Sequence, residues 1–252
     1  MTPLLAIDVG NTNLAFGLYV GGTLAAEWCL PTRRDCSVAA LIDGMRQGLH
    51  GTRPTAAAIA SVVPPLDPAL RAAAREVTGS GPLIVDHTNA GIAIAYSRPA
   101  EIGADRLADA AGALAKYGVP CLIVDFGTAT TFEYLDAEGR YHGGPIVPGV
   151  ALMNDALASA AAKIAPTPLA VTERLLPTST TEAVQAGVYH GYVGLTRYLI
   201  AQLLREIGGA PRVIATGGLA SLIVPACPAI AIHDPRLTLD GLRAIWAKNS
   251  TT

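Results

Sequence analysis

Two short segments of the chain, residues 8–13 and 125–131, carry residues that could hold a nucleoside triphosphate. In each segment an apolar run ends at an aspartate, Asp8 or Asp125, and leads into a turn containing Gly and Thr. Gly and Asn permit the backbone angles of a tight hairpin, while exposed N–H groups and threonine hydroxyls can hold phosphate oxygens. An aspartate at a strand end can hold a metal ion or position water. The two segments therefore predict an internal repeat with one phosphate-binding turn in each copy.

A third turn follows the apolar residues 213–215 and contains Thr216, Gly217 and Gly218. Glycine at this place would let a flat base or a ribose lie against the backbone. The motifs GxxxxGK[ST] and GxGxxG are absent from the sequence, and none of the three lysines follows a glycine. We therefore expect phosphate to be held by backbone N–H groups, hydroxyls, arginine and a divalent ion rather than by a loop lysine.

The elements that must position these turns repeat as well. The sequence predicts two sets of antiparallel strands, at 4–7, 14–20 and 23–30 and again at 121–124, 131–135 and 141–147. It also predicts helices at 38–49, 68–77 and 101–117 and strands at 57–63 and 83–85. These patterns indicate an α/β fold of two similar halves, each a mixed sheet with helices, at residues 1–118 and 119–252, with an ATP cleft between the halves.

A long helix is predicted at 182–207, beginning with the S-x-x-E capping box of Ser179 and Glu182. Gly187, Gly191 and Gly194 lie three and four residues apart within it. Each costs about 1 kcal/mol in a helix interior relative to Ala. Three glycines on one face therefore suggest the close approach of another helix, either within the chain or across a dimer contact.

Composition excludes several classes of function. Hydrophobic residues make up 51 % of the chain and charged residues 15 %, but no apolar run approaches the ~18 residues needed to span a bilayer. A net charge of −2 gives no field for nucleic acid, and neither the four cysteines nor the five histidines show metal-ligand spacing. The first residues lead straight into a strand, without a basic region and a cleavable apolar segment. We expect a cytoplasmic protein with a small-molecule partner, without membrane or nucleic-acid binding.

The order of two phosphate turns and an adenosine turn resembles the sugar kinase, Hsp70 and actin superfamily, whose two ribonuclease-H-like halves close over ATP. Within it, the chain resembles the type III pantothenate kinases along nearly its whole length. The segments that carry this resemblance are 8–13, 60–65, 103–106, 125–131, 143–149, 180–187 and 215–219. Gly-Ala-Asp-Arg at 103–106 combined with the segment 125–131 is the most specific part, whereas the Arg-rich residues 31–50 depart from the family pattern.

The resemblance implies roles for the nucleotide-binding residues. ATP would be bound by the first phosphate loop and by residues of the later turns, namely Asp8, Val9, Gly10, Asn11, Thr12, Asn13, Leu14, Ala15, Thr128, Gly217 and Gly218. Asp8 would approach Mg²⁺ directly or through water, and Asp125 corresponds to the family position for a monovalent cation, K⁺ or NH₄⁺. From the sequence alone, Asp8 could equally cap a turn at a strand end.

On the acceptor side, the resemblance implies that Asp105 is the general base, which removes the proton from the substrate hydroxyl as it attacks the γ-phosphate. Pantothenate would contact Tyr96, Gly103, Ala104, Asp105, Arg106 and Thr180. Ordinary alternatives stay open at this point: Asp105 could be a helix-dipole partner, Arg106 part of an interior salt bridge, and Thr180 a helix cap. Tyr96 could equally be an aromatic residue at a strand end.

The implied activity is ATP-dependent phosphorylation of pantothenate to 4′-phosphopantothenate, the first step of coenzyme A synthesis. Family members are homodimers with the substrate site near the subunit contact, which suits the glycine face of the helix after Thr180. A regulatory accessory factor of the same fold, and a kinase for another small hydroxylated substrate, are the alternatives.

Overall fold

The computed structural model of the protein describes residues 2–250. The chain forms two compact units. The first contains the residues up to Gly118, Gly139–Tyr141 and the residues from Arg236 onward, and the second contains Val119–Glu138 and His142–Pro235.

Twelve strands and seven α-helices follow one another along the described part of the chain. The strands are β1 (Leu4–Val9), β2 (Asn13–Val20), β3 (Thr23–Pro31), β4 (Ala56–Ser61), β5 (Leu83–Ile84), β6 (Ala93–Ile94), β7 (Cys121–Phe126), β8 (Ala129–Leu135), β9 (Arg140–Gly143), β10 (Ile146–Pro148), β11 (Arg212–Thr216) and β12 (Ile232–His233). The helices are α1 (Val38–Arg46), α2 (Asp67–Thr78), α3 (Ala104–Tyr117), α4 (Val150–Ala160), α5 (Thr180–Ile207), α6 (Ala220–Ile223) and α7 (Leu237–Ser250).

The sheet of the first unit has the strand order β3-β2-β1-β4-β5. Strands β1, β2 and β3 pair antiparallel, as the sequence predicts, and β4 and β5 add in parallel. We call the residues between β1 and β2, 10–12, the first turn. It lies at the same edge of the sheet as the carboxyl end of β4, because Val9 pairs with Ser61.

The two faces of this sheet are covered by different helices. Side chains alternate across a strand, so Leu5, Ile7 and Val9 share one face, where they pack with α1 and α2 into a buried core. Ala6 and Asp8 belong to the opposite face, against which α7 packs. Asp8 therefore lies on the face that α7 covers, opposite the face that packs against α1 and α2.

The sheet of the second unit contains β12, β11, β7 and β8 in that order, with β10 also paired to β8. Strand β7 pairs antiparallel with β8 and parallel with β11. Leu122, Val124 and Phe132 lie in a buried core with residues of α5. We call the residues between β7 and β8, Gly127 and Thr128, the second turn. The α/β class and the repeated hairpins are thus confirmed.

The single strand predicted at 141–147 is wrong in detail, because the chain forms β9 and β10 with a break between them. Gly143 has a φ of +75°. A Cβ on Gly144 would lie 2.3 Å from the Phe132 carbonyl oxygen, so the chain passes too close to β8 for an ordinary residue. The strand β6 was not predicted, and it pairs in parallel with Arg140 and Tyr141 of the first unit.

Helix α7 belongs to the first unit, where it crosses α3 at a pair of glycines. A Cβ on Gly241 would lie 1.8 Å from the Ala108 carbonyl oxygen, and one on Gly112 would lie 2.4 Å from the Leu237 carbonyl oxygen. The two backbones thus touch, which explains why residues so late in the sequence pack with residues before 118. The division of the chain into two ribonuclease-H-like halves, 1–118 and 119–252, stays a prediction.

Helix α5 begins as its capping box predicts, since the Ser179 hydroxyl accepts a hydrogen bond from the Glu182 N–H at 3.2 Å. The Glu182 carboxylate accepts from the backbone and the hydroxyl of Thr178 at 2.7 and 2.8 Å. Along this helix, Cβ atoms added to Gly187, Gly191 or Gly194 would meet nothing within 4 Å. The glycine face therefore has no neighbour in the described part of the chain, which removes the internal-contact alternative. Among residues 2–250, no helix is long and apolar enough to cross a membrane.

Candidate active site

The first turn is tight without any left-handed residue. The Gly10 N–H donates to the Asn13 carbonyl at 2.9 Å, and Asn11 and Thr12 do not adopt positive φ. A Cβ on Gly10 would lie 3.2 Å from the Asn13 oxygen. The sequence prediction that Gly and Asn serve the backbone angles of a hairpin is therefore wrong for this turn.

Contacts from the residue after β3 complete the first turn. The Thr32 N–H donates to the Thr12 carbonyl at 2.9 Å, and the Thr32 hydroxyl donates to the Gly10 carbonyl at 2.7 Å. The Arg34 guanidinium lies next to it and donates to the Asn11 side-chain oxygen at 3.3 Å. The Arg-rich segment 31–50 thus contacts the first turn, which is the predicted phosphate loop, through Thr32 and Arg34.

Asp8 is partly buried at the end of β1. It pairs with Ala15, which pairs with Cys29, so the three side chains share one face of the sheet. The pKa of the Cys29 thiol is raised, first by burial and second by the negative charge of Asp8. The Asp8 carboxylate is therefore a local source of negative charge beside the first turn.

The loop after β4 connects the first turn to the Gly-Ala-Asp-Arg segment. The Val62 N–H donates to the Val9 carbonyl at 3.1 Å, just before the first turn. The Val62 side chain lies 3.4 Å from the place that a Cβ on Gly103 would occupy. Through Val62, the structure thus brings the segment Gly103–Arg106 close to the strand that carries Asp8.

Asp105 lies in the first turn of α3, and its carboxylate folds back toward Gly103. A Cβ on Gly103 would lie 2.4 Å from Asp105 Oδ1, so this glycine makes room for the carboxylate. Burial raises the pKa of the Asp105 carboxyl above its usual range. The hydrogen bond from the Arg106 N–H, 2.8 Å long, and the Arg106 charge lower the pKa, but burial has the larger effect.

Arg106 is buried, and its guanidinium lies over the Tyr141 ring, 5.7 Å from the ring centre. The Tyr141 and Tyr96 rings are tilted against each other with 6.5 Å between their centres. Tyr96 and Arg106 are therefore brought together through Tyr141, a residue that sequence analysis missed. Nothing in its surroundings in the sequence distinguishes Tyr141 from an ordinary strand aromatic.

The second turn is enclosed by close backbone approaches. The Gly127 N–H donates to the Ala129 carbonyl at 3.1 Å, and the Gly149 N–H donates to the Thr128 carbonyl at 3.0 Å. A Cβ on Gly149 would lie 2.4 Å from the Gly127 oxygen and 2.5 Å from the Thr128 oxygen. Thr128 itself is an exposed residue.

Asp125 is partly buried at the end of β7, against the third glycine turn. A Cβ on Gly217 would lie 2.3 Å from Asp125 Oδ1 and 2.6 Å from the Phe126 backbone, and Gly217 has a φ of +92°. A Cβ on Gly218 would meet nothing within 4 Å. Gly217 thus packs closely against Asp125, whereas the space beside Gly218 is open.

A tyrosine of α5 supports the second turn from the core side. The Tyr192 hydroxyl lies within hydrogen-bond distance of two oxygens, that of the Thr130 hydroxyl at 2.6 Å and that of the Pro148 carbonyl at 3.1 Å. Burial raises the pKa of the Tyr192 hydroxyl, so it stays protonated. Thr180 lies exposed at the start of the same helix, in the second unit, whereas the other predicted pantothenate contacts lie in the first unit.

The described residues contain no group of three or more His, Cys, Asp or Glu side chains that could hold a metal ion. Mg²⁺ usually keeps several waters and is held by one or two carboxylates together with substrate phosphates. A single carboxylate such as Asp8 beside a phosphate turn fits that mode.

Solved structures share the fold of this chain. The chain is similar to ethanolamine utilization protein EutJ from Carboxydothermus hydrogenoformans, with a TM-score of 0.59 at 13% identity, covering 96% of this chain and 89% of that one. It is also similar to the ROK family glucokinase from Streptomyces griseus, with a TM-score of 0.54 at 12% identity, covering 95% and 97%. At these identities the likeness establishes the fold alone.

The sequence comparisons identify the family. The family model of type III pantothenate kinase matches residues 4–202. The type III pantothenate kinase of Geobacter sulfurreducens is 40% identical over 252 residues, which cover 98% of this chain and 99% of that protein. That of Paramagnetospirillum magneticum is 41% identical over 255 residues, covering 98% of each. The chain belongs to the type III pantothenate kinase family, which phosphorylates pantothenate in coenzyme A biosynthesis, and membership implies ATP together with a divalent metal ion.

Proposed function

We propose that this chain transfers the γ-phosphate of ATP to the primary hydroxyl of pantothenate, with Asp105 as the general base. The observation that carries the proposal is the Asp105 carboxylate, which lies over Gly103 at the start of α3 with its pKa raised by burial. A carboxyl with a raised pKa is a stronger base than an exposed aspartate, and therefore takes up a proton more readily.

The base has a defined task in this reaction. The hydroxyl oxygen of the substrate forms a bond to the γ-phosphorus as the bond to the leaving ADP oxygen breaks, and the hydroxyl proton passes to Asp105. Phosphoryl transfer depends mainly on positioning and on charge stabilisation. The Arg106 N–H, which donates to Asp105, fixes the direction of the carboxylate.

The nucleotide is assigned to the turns. Residues Asp8 to Ala15 would hold the phosphates, and Thr128 and Gly218 would also contact ATP. When bound, Mg²⁺ would supply positive charge to the phosphate oxygens, with Asp8 as its protein ligand, directly or through water. Gly217 belongs to the same set by resemblance, and its contact with Asp125 supports an indirect role.

Asp125 is proposed to hold K⁺ or NH₄⁺. Its carboxylate lies between Gly217 and Gly127, whose missing side chains leave backbone atoms close to it. Pantothenate is assigned to Gly103, Ala104, Arg106, Tyr96 and Thr180. The Arg106, Tyr141 and Tyr96 cluster supports this assignment, because a buried guanidinium suits the substrate's carboxylate.

A homodimer is part of the proposal, and its support is the glycine face of α5. Gly187, Gly191 and Gly194 are exposed, and Tyr198 on the same face has 63% of its surface exposed. Exposed glycines in a helix cost stability, which contact with a second copy would offset. The proposal also places the protein in the cytoplasm, where its four free cysteines would stay reduced.

The decisive experiment compares wild type and Asp105→Asn. Asparagine keeps the size of the side chain but cannot take up the proton, so turnover should fall by roughly 10²-fold or more, whereas ATP affinity should stay unchanged. The wild-type rate should also fall as the pH is lowered through the raised pKa, and the residual rate of the variant should lack this step.

Stability separates the catalytic role from a structural one. Because the folded-state pKa of Asp105 is raised, its contribution to stability is present below the unfolded pKa of about 3.9 and is lost as the pH rises through the folded pKa. Asp105→Asn should therefore have an equal or higher Tm at pH 7.5. Asp67→Asn, at the first turn of α2, is the matched control and should lose stability but not turnover. An Asp105→Asn enzyme with normal turnover would overturn the assignment.

The dimer is tested by Gly191→Leu. A Cβ at position 191 meets nothing within 4 Å in the isolated protomer, and leucine favours a helix more than glycine does. A loss of dimerisation or of pantothenate affinity would therefore point to contact with a partner. We expect weaker dimerisation in sedimentation and a higher KM for pantothenate, while Gly81→Leu, at an exposed glycine of the first unit, should change neither. A monomeric, active wild type would contradict this part of the proposal.

A further inference from the structure

Thr32 forms hydrogen bonds with both ends of the first turn. Its N–H continues the β2–β3 pairing by one residue and donates to the Thr12 carbonyl at 2.9 Å. Its hydroxyl donates to the carbonyl of Gly10, the first residue of the turn, at 2.7 Å. One residue outside the turn therefore fixes the orientation of two of its peptide groups.

The directions of these carbonyls decide where the turn presents its N–H groups. In a trans peptide the C=O of one residue and the N–H of the next point in opposite directions. Since the Gly10 and Thr12 carbonyls point to Thr32, the N–H groups of Asn11 and Asn13 point away from it. Two N–H groups aimed to one side are the arrangement that binds phosphate oxygens.

The backbone angles of the turn strengthen this argument. Two-residue hairpin turns are usually of the primed types, which need positive φ in the turn, but Asn11 and Thr12 lack it. In an ordinary hairpin the Gly10 carbonyl would accept the Asn13 N–H, whereas here it accepts the Thr32 hydroxyl. The turn's shape thus depends on a side chain that lies outside it.

We propose that Thr32 is a positioning residue for ATP, which orients the first turn so that the Asn11 and Asn13 N–H groups face the phosphates. This inference rests on the proposed role of the first turn in nucleotide binding. Thr32 touches neither the reacting atoms nor, by this account, the nucleotide itself. Its loss should therefore weaken ATP binding selectively.

The test uses the pair Thr32→Val and Thr32→Ser. Valine has nearly the same shape but lacks the hydroxyl, and a net hydrogen bond contributes about 0.5–1.5 kcal/mol, so the ATP Kd and KM should rise up to about tenfold. The KM for pantothenate should stay within about twofold. Serine keeps the hydroxyl and should restore ATP affinity.

Thr78→Val is the matched control. The Thr78 hydroxyl lies within hydrogen-bond distance of two backbone carbonyls of the first unit, that of Ala74 at 2.8 Å and that of Ser80 at 2.9 Å, and it accepts the Ser80 N–H at 3.2 Å. Its loss should lower Tm at least as much as Thr32→Val and leave ATP affinity unchanged. If Thr32→Val lowers only Tm, or raises both KM values equally, Thr32 has a general structural role and the proposal is overturned.

ATP affinity is measured by calorimetry without pantothenate, which separates this proposal from that of the reaction. A wild type that binds ATP but does not phosphorylate pantothenate would overturn the proposed function and leave the Thr32 comparison valid. A wild type that does not bind ATP would overturn both.

Discussion

The first and second turns occupy equivalent places in the two units but are held in different ways. Each follows a strand that carries a partly buried aspartate, and in each the carbonyl of a threonine accepts the N–H of a residue that follows a proline. In the first turn Thr32 supplies this N–H, and in the second turn Gly149 supplies it. The repeat seen in the sequence therefore extends to a hydrogen bond that the sequence motif does not include.

The difference lies in what surrounds that hydrogen bond. In the first turn, a hydroxyl bridges to the Gly10 carbonyl, so a side chain defines the shape. In the second turn, which is one residue shorter between its paired residues, the backbone of Gly149 lies directly on Gly127 and Thr128. The same hairpin can thus be fixed by adding a hydrogen bond or by removing a side chain. Loss of a side chain should therefore disturb the first turn, whereas addition of a side chain should disturb the second.

The largest expected effect on turnover is that of the aspartate before the first turn, Asp8. Asp8→Asn should lower turnover by roughly 10²-fold to 10³-fold, because it removes a negative charge proposed to act on the Mg²⁺ of the nucleotide. Steady-state rates at several Mg²⁺ concentrations measure this, with the exposed Asp43→Asn as control. Normal turnover would leave Asp8 as a turn cap.

The next effect concerns stability and contrasts two glycines. Gly149→Ala should destabilise the protein by about 1–3 kcal/mol, because the new methyl group would lie against two carbonyl oxygens that cannot move freely. Gly10→Ala should cost less than about 1 kcal/mol, since its nearest neighbour is 3.2 Å away. Urea unfolding of both variants gives the difference, and equal losses would refute the contrast.

A smaller effect is expected from the monovalent cation. Replacing K⁺ and NH₄⁺ with Na⁺ or a bulky organic cation should lower wild-type activity by at least about tenfold, and Asp125→Asn should remove most of this dependence. The matching Asp8→Asn variant should keep its relative response to K⁺. Undiminished turnover in the substituted buffer would remove the cation from the reaction.

The smallest effect involves Arg34, which lies beside the first turn. Arg34→Gln should raise the KM for ATP by about threefold at low salt, because an exposed guanidinium beside the turn attracts phosphate weakly. The effect should disappear at high ionic strength. Arg53→Gln, an exposed arginine elsewhere in the first unit, is the control and should leave this KM unchanged at both salt concentrations.

Local signals in the sequence were sufficient for much of the fold. The hairpin strands and the start of α5 at Ser179 each depend on residues close together in the chain. The helix predicted at 101–117 is α3, but it begins at Ala104, after a separate 3₁₀ turn at Pro99–Glu101. Asp105 and its neighbours were recognised through the family resemblance of Gly-Ala-Asp-Arg at 103–106, because from the residues alone Asp105 could equally be a helix-dipole partner. The contact between its carboxylate and Gly103 became visible only in the structure.

What could not be predicted depends on contacts between distant residues. The break between β9 and β10 arises where Gly144 meets Phe132, and Tyr141 joins Arg106 only after the chain has folded. The hydrogen bond from the Thr32 hydroxyl to the Gly10 carbonyl joins residues 22 positions apart. The glycines of α5 suggested a close contact, and a sequence cannot say whether the contact lies within one chain or between two.

The crossing of α3 and α7 at Gly112 and Gly241 has a consequence for synthesis. Domains generally fold as units, the amino-terminal one first, while the chain is being made. Here α3, which carries Asp105 in its first turn, cannot complete its packing until α7 has been made, after the whole of the second unit. We expect the second unit to reach its final form first on the ribosome, although its sequence comes later, so that the proposed base is positioned last.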